Sequence, residues 1–131
     1  MKGSEERMEA RYSILYSLNR CAICGRTKAE TPIEIHEVFN GPSREKSIKH
    51  GCCVGLCVEH HRTGKDAVHK NYQTKLKLQK AYEARFIELH GFDEFMAIFH
   101  KNYLDDIEIQ RAEEKRGKLE EADHISKGNI L

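Results

Sequence analysis

No apolar stretch near the N-terminus reads as a signal peptide or as a membrane span. Internal repeats, low-complexity tracts and a domain-sized linker are missing as well. One compact domain with polar ends is therefore expected for 131 residues, of which 39% are hydrophobic and 33% charged. A chain of this size buries a modest core, and an internal metal would help to hold it. Net charge is nearly absent too, at +1, yet the balance hides an uneven pattern. Residues 1–39 carry six basic and six acidic side chains, residues 40–85 ten and four, and residues 86–131 six and eleven, so the excesses are 0, +6 and −5. A basic middle suits contact with phosphates, which Lys and Arg supply; a solvated helix face would give the same count.

Cysteine is what the chain has in quantity. Cys21, Cys24, Cys52, Cys53 and Cys57 make an odd number, which a full set of disulfides cannot use. With no secretion signal, an intracellular, reducing compartment is expected, where clustered cysteines bind metal more often than they pair. No membrane partner is expected.

Apolar periodicity outlines the elements. Residues 4–19 put Met8, Tyr12, Leu15 and Leu18 on one helical face, which predicts an amphipathic N-terminal helix over residues 1–19. Ile33, Ile35 and Val38 form a short strand-like run, broken at Asn40-Gly41-Pro42, and Val54 to Val58 form a second. From Tyr72 the spacing of Leu76, Gln79, Tyr82, Phe86 and Leu89 is helical and stops at His90-Gly91, where glycine suits a helix end. Phe92, Phe95, Met96 and Phe99 start a further short helix whose aromatic face belongs to a core. The charged stretch 105–131 is compatible with a solvated helix and with loose chain.

Chemistry concentrates between Cys21 and Asn71. Cys21-Ala22-Ile23-Cys24 is a C-x2-C knuckle, and Cys57-Val58-Glu59-His60 offers a second ligand pair at the same spacing. Two such pairs suit tetrahedral Zn(II), and a full set of protein ligands marks a structural site. Cys52 or Cys53 could replace one of these ligands, but their adjacency fits a knuckle poorly and small core residues are the simpler reading. A second group remains. Glu34 and His36 share one face of the first strand and Glu37 points the other way, while His61 follows the second knuckle and His69 and Asn71 lie beyond it. If helical, His61 and His69 would lie about two turns apart and could face the strand.

The order CAICG, IEIHEVFNG, a basic PSREKS loop and VGLCVEHHRTGKDAVHKN resembles the HNH, or ββα-metal, nuclease superfamily in its zinc-knuckle branch. It is similar in particular to small phage and prophage proteins of that kind, the recombination-enhancement type among them. The likeness spans about residues 20–104, through LHGFDEFMAIFHKNYL. It implies an α+β fold with a small ββα-metal, treble-clef-like core, flanked by helices and followed by a polar tail over 105–131. Structural zinc would sit on Cys21, Cys24, Cys57 and His60. His61 would ligate a catalytic Mg(II) or Mn(II), with His69 and Glu34 as further ligands.

The family's first-strand dyad falls on His36-Glu37, where the usual pattern is Asp-His or His-His. Strict register makes His36 the metal ligand and puts Glu37 in the place of the base; a shift of one makes His36 the base. His36 as base or as the central site residue is the assignment favoured here, with Glu37 and Glu34 supporting the metal. The family's middle asparagine falls near Cys52, a second departure, and Asn71 either compensates or ends a helix. Arg44, Lys46, Lys49, Arg62, Lys65 and Lys70 would clamp flanking phosphates, with Arg44 and Arg62 nearest the reaction. The implied activity is one-metal hydrolysis of DNA phosphodiester bonds with little sequence specificity, RNA remaining open, in the cytoplasm of a bacterial or phage host. A non-catalytic zinc module that binds nucleic acid during recombination or packaging is the alternative that the two departures motivate. A thiol redox protein is a third, but the βαβ context that its C-x2-C motif needs is missing.

Overall fold

The computed structural model of the chain describes residues 10–129. The fold is α+β, a two-stranded antiparallel sheet with several helices. It divides into two compact units, Met1–Gln79 and Lys80–Leu131. The division falls inside one continuous helix, Tyr72–His90.

In the first unit β1 (Ile33–Glu37) pairs with β2 (Cys53–Cys57), Ile33 opposite Cys57 and Glu37 opposite Cys53. The connection holds a 3-10 turn, Gly41–Ser43, and a short helix α1 (Arg44–Lys49). Pro42 opens that turn, where its fixed φ helps and its missing N–H costs little. Buried Ser47 closes the connection: its hydroxyl donates to the Phe39 carbonyl at 2.7 Å and accepts from the Phe39 amide at 3.0 Å. Val38, Phe39, Ile48, Val54, Leu56, Ala67 and Val68 are buried in this unit.

Every residue of β2 is buried, and the N-terminal segment is one reason. Ser13 forms a β-bridge with Cys52, Ile14 donates its amide to Gly51, and Gly55 donates to Ser17 and accepts from Ala22. Over residues 10–19 the chain is thus extended and turned, which corrects the expected N-terminal helix; residues 1–9, including Met8, lie outside the described residues. The apolar spacing suggested a helix, but the free edge of β2 carries backbone groups that need partners. Tyr12 and Leu15 remain half exposed rather than forming a buried stripe. The crossing is close enough to demand glycine: a Cβ on Gly55 would lie 2.6 Å from the Arg20 carbonyl oxygen and 2.8 Å from that of Leu18.

The second unit begins within α2 (Tyr72–His90), continues into α3 (Phe92–Phe99) and ends in α4 (Asp106–Asn129). The first two match the periodicity, and Gly91 at φ +95° makes the break between them. Phe86, Phe95 and Phe99 pack ring to ring with centroids 4.8–6.0 Å apart, which is the core role expected of the aromatic face. The charged C-terminal stretch is helical. Asp105 and Glu108 open it reciprocally, each side chain accepting the other's amide, at 2.8 and 3.0 Å. Among the described residues no helix is long and apolar enough to cross a membrane.

Candidate metal centre

Cys21 and Cys24 lie on a tight turn closed by the Gly25 amide donating to the Cys21 carbonyl at 2.8 Å. Cys57 ends β2, and His60 sits on the π-helical turn Glu59–Thr63 that follows. The His60 Nδ1 lies 3.3 Å from the Cys57 Sγ and 3.7 Å from the Cys21 Sγ, and the Cys24 and Cys57 sulfurs are 3.9 Å apart. Around a tetrahedral zinc with Zn–S of about 2.3 Å and Zn–N of about 2.0 Å, ligand atoms are spaced roughly 3.5–3.8 Å. The Cys3His cluster could therefore hold a metal ion such as zinc. Arg26 supports it, donating to the Cys24 sulfur at 3.2 Å and pairing with Glu59 at 2.7 Å. Burial opposes ionisation of Cys24, but hydrogen bonds from Arg26 outweigh it and bring the thiol down to about 6, favouring the thiolate that a metal needs. Cys52 and Cys53 stand outside this cluster, fully buried, with burial pushing their thiols up to about 12 and about 11; they are core residues, as their adjacency implied.

A second group is built from three imidazoles. Strand alternation turns Glu34 and His36 to one face of β1. The π-helical turn sends His60 to the cysteines and its neighbour His61 to the strand face, since successive residues on a helical turn diverge. Beyond Gly64 the chain folds back, Val68 donating to the His60 carbonyl at 2.9 Å and His69 to that of His61 at 3.4 Å. His69 thus reaches His61 through a returning loop and not along a helix, a correction to the two-turn geometry. Ring centroids are 5.2 Å apart for His36 with His61, 5.2 Å for His36 with His69 and 4.7 Å for His61 with His69.

The nitrogens of this group are suited to a cation. Glu34 accepts a hydrogen bond from the His61 Nδ1 at 2.7 Å, which leaves the lone pair on Nε2, and that atom lies 3.1 Å from the His69 Nε2. His36 Nε2 is buried without a hydrogen-bond partner. One nitrogen from each of the three rings lies within 4.8 Å of the others. Burial, then the neighbouring His61, His69 and Lys75, push His36 down to about 3; burial and then His61 and Lys75 lower His69 too. Both imidazoles are held neutral, the form that binds metal. A base as weak as His36 removes a proton from water poorly at neutral pH. Glu34 is held below the usual carboxylate range by the hydrogen bonds from His61 and then Arg62, the latter spanning both its oxygens at 3.0 and 2.7 Å.

Other predicted residues lie elsewhere. Glu37 is not brought to the histidines: it faces the opposite side of β1 and pairs with Arg44 at 2.8 Å and Arg11 at 3.5 Å. Arg44 and Arg62, expected on phosphate, are each engaged with a carboxylate. Lys46 and Lys49 lie on α1, Lys65 in the returning loop, and Lys70 donates to the Thr63 carbonyl at 3.2 Å. Asn71 proves to be the cap of α2, accepting from the Gln73 and Thr74 amides at 2.9 and 3.2 Å, and its amide group donates to Asp66. Lys75 escaped the sequence reading. One turn into α2, it acts electrostatically on both His36 and His69, and the cap at Asn71 was the available signal.

Comparison of the chain with protein-family profiles, with curated proteins and with solved structures finds no match.

Proposed function

We propose that the chain is a metal-dependent endonuclease that hydrolyses phosphodiester bonds of DNA, of the HNH kind its motifs resemble. In this reading Cys21, Cys24, Cys57 and His60 hold a structural zinc in a ββα core, and His36, His61 and His69 hold a second ion. The observation that carries it is the convergence of three imidazole nitrogens on one strand face, with His36 Nε2 buried and unpartnered and His61 oriented by Glu34. A complete ligand set is the mark of a structural site; three protein ligands with room for more is the pattern of a catalytic one.

In this reading the donor set favours an ion other than the Mg(II) or Mn(II) that the resemblance implies. Mg(II) and Mn(II) favour oxygen ligands, whereas three imidazoles suit zinc and ions of similar preference. On the same reading His36 serves as ligand rather than base. When bound, such an ion supplies Lewis-acid polarisation of the phosphodiester and makes a water nucleophilic near neutral pH. Glu34 fixes the His61 tautomer and ring plane and raises its basicity as a ligand. Arg62 holds Glu34 ionised and in place. Lys75, for which no carboxylate partner is found among the described residues, attracts the anionic substrate towards the histidines.

Supercoiled plasmid cleavage tests this with wild type and the His61→Ala and His69→Ala variants in Zn(II), Mn(II), Mg(II) or EDTA. Nicking that needs metal and is lost in both variants, with metal retained at the Cys3His cluster, is the expected result. Absence of cleavage of duplex, single-stranded DNA and RNA with every ion would reject the reading. The alternative, a non-catalytic zinc module, is favoured by one observation: the two arginines best suited to a reacting phosphate already carry carboxylate partners.

A further inference from the structure

We propose that an unpaired nucleobase of the substrate strand occupies a cleft between the cysteine knuckle and the start of α2, so that the protein prefers single-stranded or frayed nucleic acid to intact duplex. This deepens the nuclease reading and rests on it. The cleft has a volume of about 520 Å3 and is lined by Tyr16, Ile23 and Leu78, with Asp66, Gln73 and Thr74 among its polar groups. Tyr16 and Ile23 are each 40% exposed and line one concave surface. The lining is mixed, apolar at Tyr16, Ala22, Ile23 and Leu78 and polar along the start of α2, and a base is flat, apolar on its faces and polar at its edge.

Its position favours a base over another occupant. Asn71 lines the cleft and stands two residues from His69, and the first turns of α2 send Thr74 and Lys77 to the cleft while the intervening Lys75 acts on the histidines. Neighbouring residues on one helix thus serve both places, the relation needed by a base and a phosphate of one strand. The chain from 65 to 77 carries four lysines, Lys65, Lys70, Lys75 and Lys77, against the single Asp66, a local excess of three positive charges suited to a phosphodiester backbone. A base inside a duplex presents no free face to Tyr16, so occupancy requires an unpaired base.

The test is fluorescence anisotropy with a labelled 12-residue single strand, the same strand in duplex, and an oligomer of abasic sugar phosphates of equal length, strand integrity being checked on gels. Wild type is expected to bind the single strand about tenfold more tightly than the abasic oligomer, and more tightly than the duplex. Tyr16→Ala and Ile23→Ser, each verified for metal content and circular dichroism, are expected to lose that factor for the single strand while leaving the abasic oligomer unchanged. Equal affinity for strand and abasic oligomer, or full strand affinity in both variants, overturns the cleft assignment. If the wild type meanwhile cleaves, the nuclease reading survives; strand preference in a protein that cleaves with no ion supports the cleft and rejects the nuclease.

Discussion

His61 donates to Glu34, and Arg62 spans both oxygens of that same carboxylate, so one residue of β1 sets the direction of an imidazole on the turn that follows β2. Glu34→Gln keeps an acceptor and removes the charge. It is expected to weaken metal binding at the three-histidine group about 10- to 100-fold, the usual effect of losing such an orienting partner. Titration against a chromogenic chelator should reveal this as one weakened equivalent, with the Cys3His equivalent untouched. The shared face of Glu34 and His36 was legible from alternation alone, because a strand leaves its side chains no other arrangement. The exclusion of Glu37 was legible in the same way, but the family's dyad pulled the assignment towards it. The partners of Arg44 and Arg62 were not legible, since each ion pair joins residues brought together by folding.

Among the elements, β2 shows how a strand enclosed by its surroundings constrains its neighbours. Gly55→Ala would drive a methyl group against two backbone carbonyls of the crossing segment, neither of which can rotate away. A loss of about 1–3 kcal/mol is expected, as for other overpacked cores, and a lowered urea midpoint would record it. In α2, Glu83 is fully buried; one oxygen accepts from the Tyr103 amide at 2.7 Å and the other has no partner. Burial, partly offset by that hydrogen bond, raises its carboxyl from 4.5 to about 7, with Glu108 adding repulsion. Because the folded value is the higher one, the folded state prefers the protonated acid. Stability is therefore full below pH 4.5 and declines as pH rises through about 7. The decline by pH 9 is on the order of 3 kcal/mol, at about 1.4 kcal/mol for each unit. Glu83→Gln keeps the acceptor for Tyr103, so its melting temperature should exceed that of wild type at pH 9 and the difference should fade as pH drops below 4.5.

For the whole molecule, the two units differ in what holds them. Among the described residues, the unit Met1–Gln79 pairs two short strands and contains the Cys3His and three-histidine groups. The unit Lys80–Leu131 is helical and packs an aromatic core. Structural zinc contributes about 10–16 kcal/mol in small domains of comparable dependence. Stripping metal with a strong chelator should therefore expose the β1–β2 region to protease while helical circular dichroism from the second unit persists. Simultaneous loss of both signals would contradict that independence.

The pairing of Cys21 with Cys24 and of Cys57 with His60, and the type of most elements, could be read along the chain, because both depend on local spacing: C-x2-C and C-x2-H hold their pairs within one turn, alternation selects a strand face, and a 3.6-residue period outlines α2 and α3. Tertiary structure alone decided what depends on segments distant in sequence. The N-terminal segment became a covering for β2 because that edge needed hydrogen-bond partners, which outweighed the segment's own helical spacing. His69 joined His36 and His61 because a loop folded back through two backbone hydrogen bonds, and no periodicity encodes such a return.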